Sequence, residues 1–487
     1  MHHSLSPRRT GLALLMTALL AGCAAGMDYQ PPSPPAQGAL PALATPVQTG
    51  VADAAFGGAQ SWQADMALEA PWWRQLGSPA LDALVAEALQ ASPTLAAALA
   101  QLRQAEELQG AQERATQLPR VDLGVGSARQ HLSPSAQGLP GEGRSFSLHN
   151  ASIGVQYPLD LSGSNRRALE ALAARTDHRR YQLAGARLDL AARLASTAIA
   201  QARTTAQSQA LQAIARNQEA QSALARERVR LGQAMPADAH AVQAALEQTR
   251  ASILLLDKQA LQNGHLLAAL AGRTPGEQAL PAFTLRDFTL PAALPQVLPS
   301  ELVRQRPDIQ AAEALVHAAS ADHGVAVARL YPQIRLSASL GSQALSAGAL
   351  FGSGSAVWGM LAQLTQSLFD PALPAQQRAA LAALDAAAAQ YQAVVLDALR
   401  GVADTLRAAE ADAQVLGALA RADAAAQASL QTTQQQLNLG AASYLQWLVA
   451  EQQALLLRSS LVAAQAQRLA DSAALFQAVG AGGLGAM

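Results

Sequence analysis

Few side chains in this sequence stand where covalent or metal chemistry needs them. Cys23 is the only cysteine, so one copy can build no disulfide, no thiolate metal cluster and no cysteine–histidine dyad. The nine histidines are scattered; His317 and His323 are too far apart on a helix for paired ligation, and His2 and His3 stand at the extreme N-terminus. No HExxH, no phosphate-binding GxxxxGK[ST] loop and no GxSxG elbow occurs. Gly480, Gly482 and Gly485 spell GxGxxG. With no strand before them and no helix after, they lack the context that brings glycines against a pyrophosphate, and residues 480–487 read as a flexible tail. No catalytic constellation assembles, so neither an enzyme nor a cofactor is expected.

Cys23 has a different setting. Arg8 and Arg9, an apolar stretch from Gly11 to Leu20, and then Leu20-Ala21-Gly22-Cys23 form the layout of a bacterial secretion signal over residues 1–22. About ten apolar residues are too few for a spanning helix, which needs roughly twenty. The placement of Cys23 resembles a lipobox, which implies a covalent lipid on its thiol and acylation of the new N-terminus, a firm anchor. Ala24 follows where an Asp would retain the protein, and by resemblance this implies sorting to the outer membrane.

The net charge of -1 and the 14% of charged residues supply no basic field for nucleic acid. Half of the residues are apolar while only 4% are aromatic; the surplus is alanine, the best helix former. Alanine at heptad-like spacing suggests helices packed closely over long distances.

The elements that follow occur twice. Ser92-Pro93-Thr94 corresponds to Arg306-Pro307-Asp308, each opening an alanine-rich helix. Leu118-Pro119-Arg120-Val121-Asp122-Leu123 corresponds to Tyr331-Pro332-Gln333-Ile334-Arg335-Leu336, and Leu231-Gly232 to Leu439-Gly440. Three matches in the same order indicate an internal duplication. After Pro119, Val121, Leu123 and Val125 alternate with Asp122, Gly124 and Gly126; after Pro332, Ile334, Leu336, Ala338 and Leu340 alternate with polar residues. That is strand periodicity. Ala151–Tyr157 and Trp358–Leu368 partner these strands across polar loops, at the length of transmembrane strands. Four strands cannot close a barrel, and an open edge cannot sit in lipid. The sheet must then be completed by other copies of the chain.

From Ser164 to Leu231 only Gly185 interrupts the helical pattern, and from Pro374 to Leu439 only Gly401 and Gly417. Interior charges such as Arg175, Asp177, Asp404 and Arg407 exclude membrane spans, which leaves long antiparallel coiled coils. Gly232 and Gly440 are placed to end each long helix and turn it into a shorter partner. The expected organisation is a signal peptide (1–22), a lipidated linker (23–60), a first repeat (61–272; strands about 119–158, hairpin about 164–272), a connecting segment (273–300), and a second repeat (301–479; strands about 333–368, hairpin about 374–479).

The run from Leu298 through Arg306-Pro307-Asp308-Ile309 to Ala312-Glu313, with Tyr331-Pro332-Gln333-Ile334 and the earlier Pro71-Trp72-Trp73 before Leu81-Asp82, closely resembles the signature of NodT-type outer-membrane factors, the TolC-type family. With the lipobox and the duplication, the likeness covers nearly the whole mature chain. It implies a mainly α fold with a membrane β-barrel portion. A homotrimer would give four strands per protomer to one shared barrel, with a long antiparallel coiled-coil helical tunnel below. It implies the exit duct of a tripartite efflux system, served by a periplasmic adaptor (membrane fusion) protein and an inner-membrane transporter of the resistance-nodulation-division type. The hairpin tips would be an iris. Family members often carry an acidic residue six positions after the turn glycine; Asp238 keeps it, whereas the second repeat has Gln446, so if the second-repeat hairpin lines the constriction, as the resemblance implies, this chain lacks that ring of charge. Tyr444 and Gln446 are the candidates for hydrogen bonds that hold the iris shut, set against an ordinary helix N-terminus with Tyr444 packed between neighbours. A non-conducting trimeric coiled-coil scaffold is the alternative; it accounts for helices and lipid but not for paired strands in each half.

Overall fold

The computed structural model describes residues 28–32, 48–63, 66, 71–134, 138, 140–276, 280–296 and 305–481. The signal stretch, Cys23 and the segment 297–304 lie outside them. In chain order the elements are β1 (Ser61–Gln63), α1 (Pro79–Ala91), α2 (Pro93–Gln117), β2 (Arg120–Leu132), β3 (Arg144–Leu159), α3 (Ser164–Arg230) and α4 (Pro236–Leu270). Then come β4 (Ala293–Pro295), α5 (Pro307–Ala328), β5 (Gln333–Ala344), β6 (Ala356–Thr365), α6 (Ala372–Asn438) and α7 (Tyr444–Ala478).

The duplication is written into element lengths. Both long helices, α3 and α6, have 67 residues, and both return helices, α4 and α7, have 35. At 1.5 Å per residue the long ones measure about 100 Å. Gly185, Gly401 and Gly417 do not break them, since an interior glycine costs only about 1 kcal/mol against a helix otherwise rich in alanine.

The chain divides into two compact units. The first comprises Met1–Pro32, Leu102–Arg179 and Ala312–Tyr391. Its centre is a four-stranded antiparallel sheet in the order β2-β3-β5-β6. Beside it, the start of α3 packs on α5: Arg175 meets Asp322 at 2.5 Å, and His317 meets Glu170 at 2.9 Å. Here too the segment around Asp28 and Tyr29 is held, by an Asp28–Arg167 ion pair of 2.9 Å and by Tyr29 stacked on His317 at 4.1 Å.

The second unit comprises Ser33–Gln101, Arg180–Ala311 and Gln392–Met487. Leu190, Ala191, Leu194, Ala195, Ala198, Ile199 and Ala202 are buried along α3 at the spacing of one helix stripe. Small residues in that stripe let neighbouring helices approach closely. Trp72, from the Pro71-Trp72-Trp73 motif, is buried and stacks on Phe476 of α7 at 5.5 Å, while Trp73 donates its indole N–H to Asp82 at 2.9 Å. Arg306 of the Arg306-Pro307-Asp308 motif donates to the carbonyl of Ala478 at 2.5 Å and to Asp308 at 2.7 Å. These signature residues therefore hold the ends of helices together. A three-residue parallel ribbon, β1 with β4, was not foreseen because neither strand is long enough to show a period.

Three sequence expectations shift. β6 ends at Thr365, not Leu368, because its ladder partner β5 begins opposite it at Gln333. β3 begins at Arg144, not Ala151, because its early residues are Ser and His on the face that is apolar further along, and they hide the alternation. The flexible tail does not include Gly480 and Ala481. Both are buried, and their amides close α7 onto Gln477 and Phe476 at 3.0 Å, with Gly480 at φ 78°.

Candidate functional site

Cross-strand partners in a ladder share a face, so the register sorts every strand residue to one side of the sheet. One side carries Val121, Leu123 and Val125 of β2, Ala151, Ile153, Val155, Tyr157 and Leu159 of β3, Ile334, Leu336, Ala338 and Leu340 of β5, and Trp358, Met360, Ala362 and Leu364 of β6. Trp358 is 76% exposed and Met360 81%, a poor state for such residues in water. Along β3 this band runs from Ala151 to Leu159. At about 3.3 Å per residue and a tilt of about 40° it stands about 20 Å tall, close to the roughly 25 Å apolar belt of outer-membrane barrels. The other side is mostly polar, with Asp122, Gly124, Asn150, Ser152, Gly154, Gln156, Arg335, Ser337, Ser339 and Gln363, and with Leu361, Val357, Phe146 and Leu148 as its apolar exceptions. At the end where β3 gives way to α3, Gln333, Arg335, Gln363, Thr365 and Asn165 line a cavity of about 350 Å³. β2 and β6 are the outer strands, each with one edge unpaired within the sheet.

The hairpin ends are as regular as the sheet. Gly232 (φ 71°) and Gly440 (φ 74°) adopt the left-handed backbone that only glycine takes without strain. Their amides bond back to Val229 and Leu437, each at 3.0 Å. The residue six positions after each glycine is the third of the return helix, and in both repeats its side chain caps the helix, reciprocally only in the second. Asp238 Oδ2 accepts the Met235 amide at 3.1 Å; Gln446 Oε1 accepts the Ser443 amide at 2.7 Å while the Ser443 hydroxyl accepts the Gln446 amide at 3.2 Å. Tyr444 lies stacked on Trp447 with centroids 5.5 Å apart. The structure thus brings Tyr444 and Gln446 to one turn at Gly440, and Asp238 to the other at Gly232.

Sequence reasoning missed the polar contacts inside the second unit. Asn217 of α3 donates to the Leu448 carbonyl at 3.0 Å and to Glu451 at 2.5 Å, and Gln221 donates to Gln452 at 2.7 Å. Arg468 of α7, 1% exposed, holds the segment 49–60 through the Phe56 carbonyl at 2.7 Å, Gln60 at 2.9 Å and Thr49 at 3.0 Å. Burial pulls its pKa down, against the opposing pull of Asp471. No group of three or more metal-ligating side chains exists among the described residues.

An apolar band of membrane height on one face, a mostly polar opposite face and two open edges define a class: membrane channel subunits built from strands. Comparison with known proteins carries this to a family. The chain matches the family model described as outer membrane efflux protein over residues 84–273 and 298–481. It is 28% identical over 479 residues to the toluene efflux pump outer membrane protein TtgF of Pseudomonas putida, covering 97% of this chain and 96% of that one. It is also 28% identical over 483 residues to the outer membrane protein OprJ of Pseudomonas aeruginosa, covering 96% and 95%. The solved outer-membrane channel OprN superimposes with a TM-score of 0.82 at 26% identity, over 95% of this chain and all of that one. The chain belongs to the outer membrane efflux protein family. It is an outer-membrane efflux channel, of a family of channels and not of enzymes.

Proposed function

We propose that three copies of this chain form the outer-membrane exit duct of a tripartite efflux system, receiving substrate from a periplasmic adaptor and an inner-membrane transporter of the resistance-nodulation-division type. The observation that carries the reading is the sheet: its lipid-height apolar face needs a bilayer, and its two open edges need other copies of the same sheet. A second support is α6, which contains an 18-residue stretch apolar enough for a membrane, with only 11% of it buried in one copy. Its apolarity is mostly alanine, and the helix is more than three times the roughly 20 residues a span requires. A neighbouring helix is the better cover for it. The turns at Gly232 and Gly440, with Asp238, Tyr444 and Gln446, form the periplasmic iris. Cys23 carries the lipid anchor, as the intact mass of the membrane-extracted protein should show; an unmodified thiol would remove that part of the reading.

The test is conductance. Purified protein inserted in planar lipid bilayers should give discrete current steps. A protein that inserts and never conducts would favour the envelope scaffold.

A further inference from the structure

The β2–β3 hairpin continues past the apolar band, and the face it presents there changes character. Beyond Val125 and Ala151, the residues on the lipid-facing side are Ser127 opposite His149, Arg129 opposite Ser147, and His131 opposite Ser145. At about 3.4 Å per residue and a tilt of about 40°, these rows stand about 5, 10 and 15 Å above the last apolar row. The layer of polar headgroups adds about 5–7 Å on each side of the hydrocarbon, so the Ser127–His149 row lies within it, the Arg129 row stands just above it within reach of a long guanidinium side chain, and the His131 row lies beyond it. The single carboxylate within β2 and β3 is Asp122; it lies on the opposite face and is paired with Arg120 at 2.9 Å. Among the described residues Arg129 has no ion-pair partner, and the His131 ring is hydrogen-bonded to the Ser145 hydroxyl at 2.9 Å. This end of the sheet is the one away from α3, which starts five residues after β3 ends.

We infer that this collar of Arg129 and His149, with the serines beside them, binds the phosphate-bearing glycolipid headgroups of the outer leaflet. The proposal rests on the reading that the apolar band faces lipid and extends it to a named ligand class. Two features point to lipid as the occupant. The collar is continuous with the lipid-facing band, on the same face and in the same strands. Its donors, a guanidinium, an imidazole and hydroxyls with no carboxylate among them, suit phosphate oxygens. Three copies would repeat the collar around the barrel, so that several headgroups bind at once.

The experiment uses the purified full-length oligomer in a neutral detergent and follows its thermal dissociation with added lipopolysaccharide, dephosphorylated lipopolysaccharide or zwitterionic phosphatidylcholine. A ligand that binds only the native state raises its melting temperature. Lipopolysaccharide should raise it by several degrees and the other two should not. Arg129→Gln with His149→Gln should lose most of that gain while melting as wild type without lipid. No gain in the wild type, an equal gain from the dephosphorylated form, or a gain that survives both substitutions overturns the proposal. The outcome is separable from the duct reading, since a variant that conducts normally leaves the channel intact whatever the lipid result.

Discussion

Asp471 shows how much of this protein's physics sits in single buried groups. It is 6% exposed on α7; Gln467 donates to its Oδ1 at 2.8 Å, and its Oδ2 has no donor of its own but faces the Asp412 carboxyl of α6. Burial first, and then Asp412, push its pKa up to about 7, while Gln467 and Arg468 pull the other way. The folded surroundings of Asp471 thus favour its protonated carboxyl. In the unfolded chain an aspartate releases that proton near pH 4. The native state therefore binds the proton more tightly, so this contribution is whole below about pH 4 and is lost as pH rises to about 7. Asp471→Asn removes the charge and keeps a donor. It should melt like wild type at pH 4 and at a higher temperature than wild type at pH 8, as read by melting curves across that range; equal curves at pH 8 would show that Asp471 does not hold its proton above the usual carboxylate range. Nothing in the sequence marked Asp471 or Arg468. Arg468 and its partner Thr49 are 419 residues apart, and a long helix pattern does not say which charges it buries.

The secondary structure was far more legible. Proline, glycine and periodicity located both strand pairs and both hairpins, because each of these signals acts locally on the backbone. The misses are where the signal is not local: the early part of β3, whose residues on that face stop being apolar beyond the apolar band, and the β1–β4 ribbon, which exists only through tertiary pairing. The turns were read correctly as glycine turns, yet the structure adds that Asp238 and Gln446 occupy equivalent capping positions. An acidic residue six places after the glycine is thus a cap in the first repeat, and Gln446 performs the same task without charge. This bears on the gate. Tyr444→Ala with Gln446→Ala should let large antibiotics enter cells faster, but it also removes a cap worth about 1 kcal/mol. Gln446→Glu preserves the reciprocal cap and brings like charges together at the threefold axis of the proposed trimer. It should leak as well, read as faster uptake of a bulky antibiotic; if neither variant changes uptake, the constriction lies elsewhere.

Taken as a whole, one copy is an incomplete object. Its sheet has two open edges, its lipid-facing side carries Trp358 and Met360 largely exposed, and an apolar stretch of α6 lies uncovered. Large exposed apolar surface of this kind marks contact with lipid or with other subunits, and repeating the same sheet around an axis satisfies both. The need for other copies was visible in the sequence from the count of strands alone, whereas the number three came only through the family likeness. Electron microscopy of the detergent-purified full-length protein tests that number and the duct together. A hollow particle with threefold symmetry, closed around a barrel of strands, is what this account requires. A single-copy particle, or a solid rod of helices with no barrel, would contradict it.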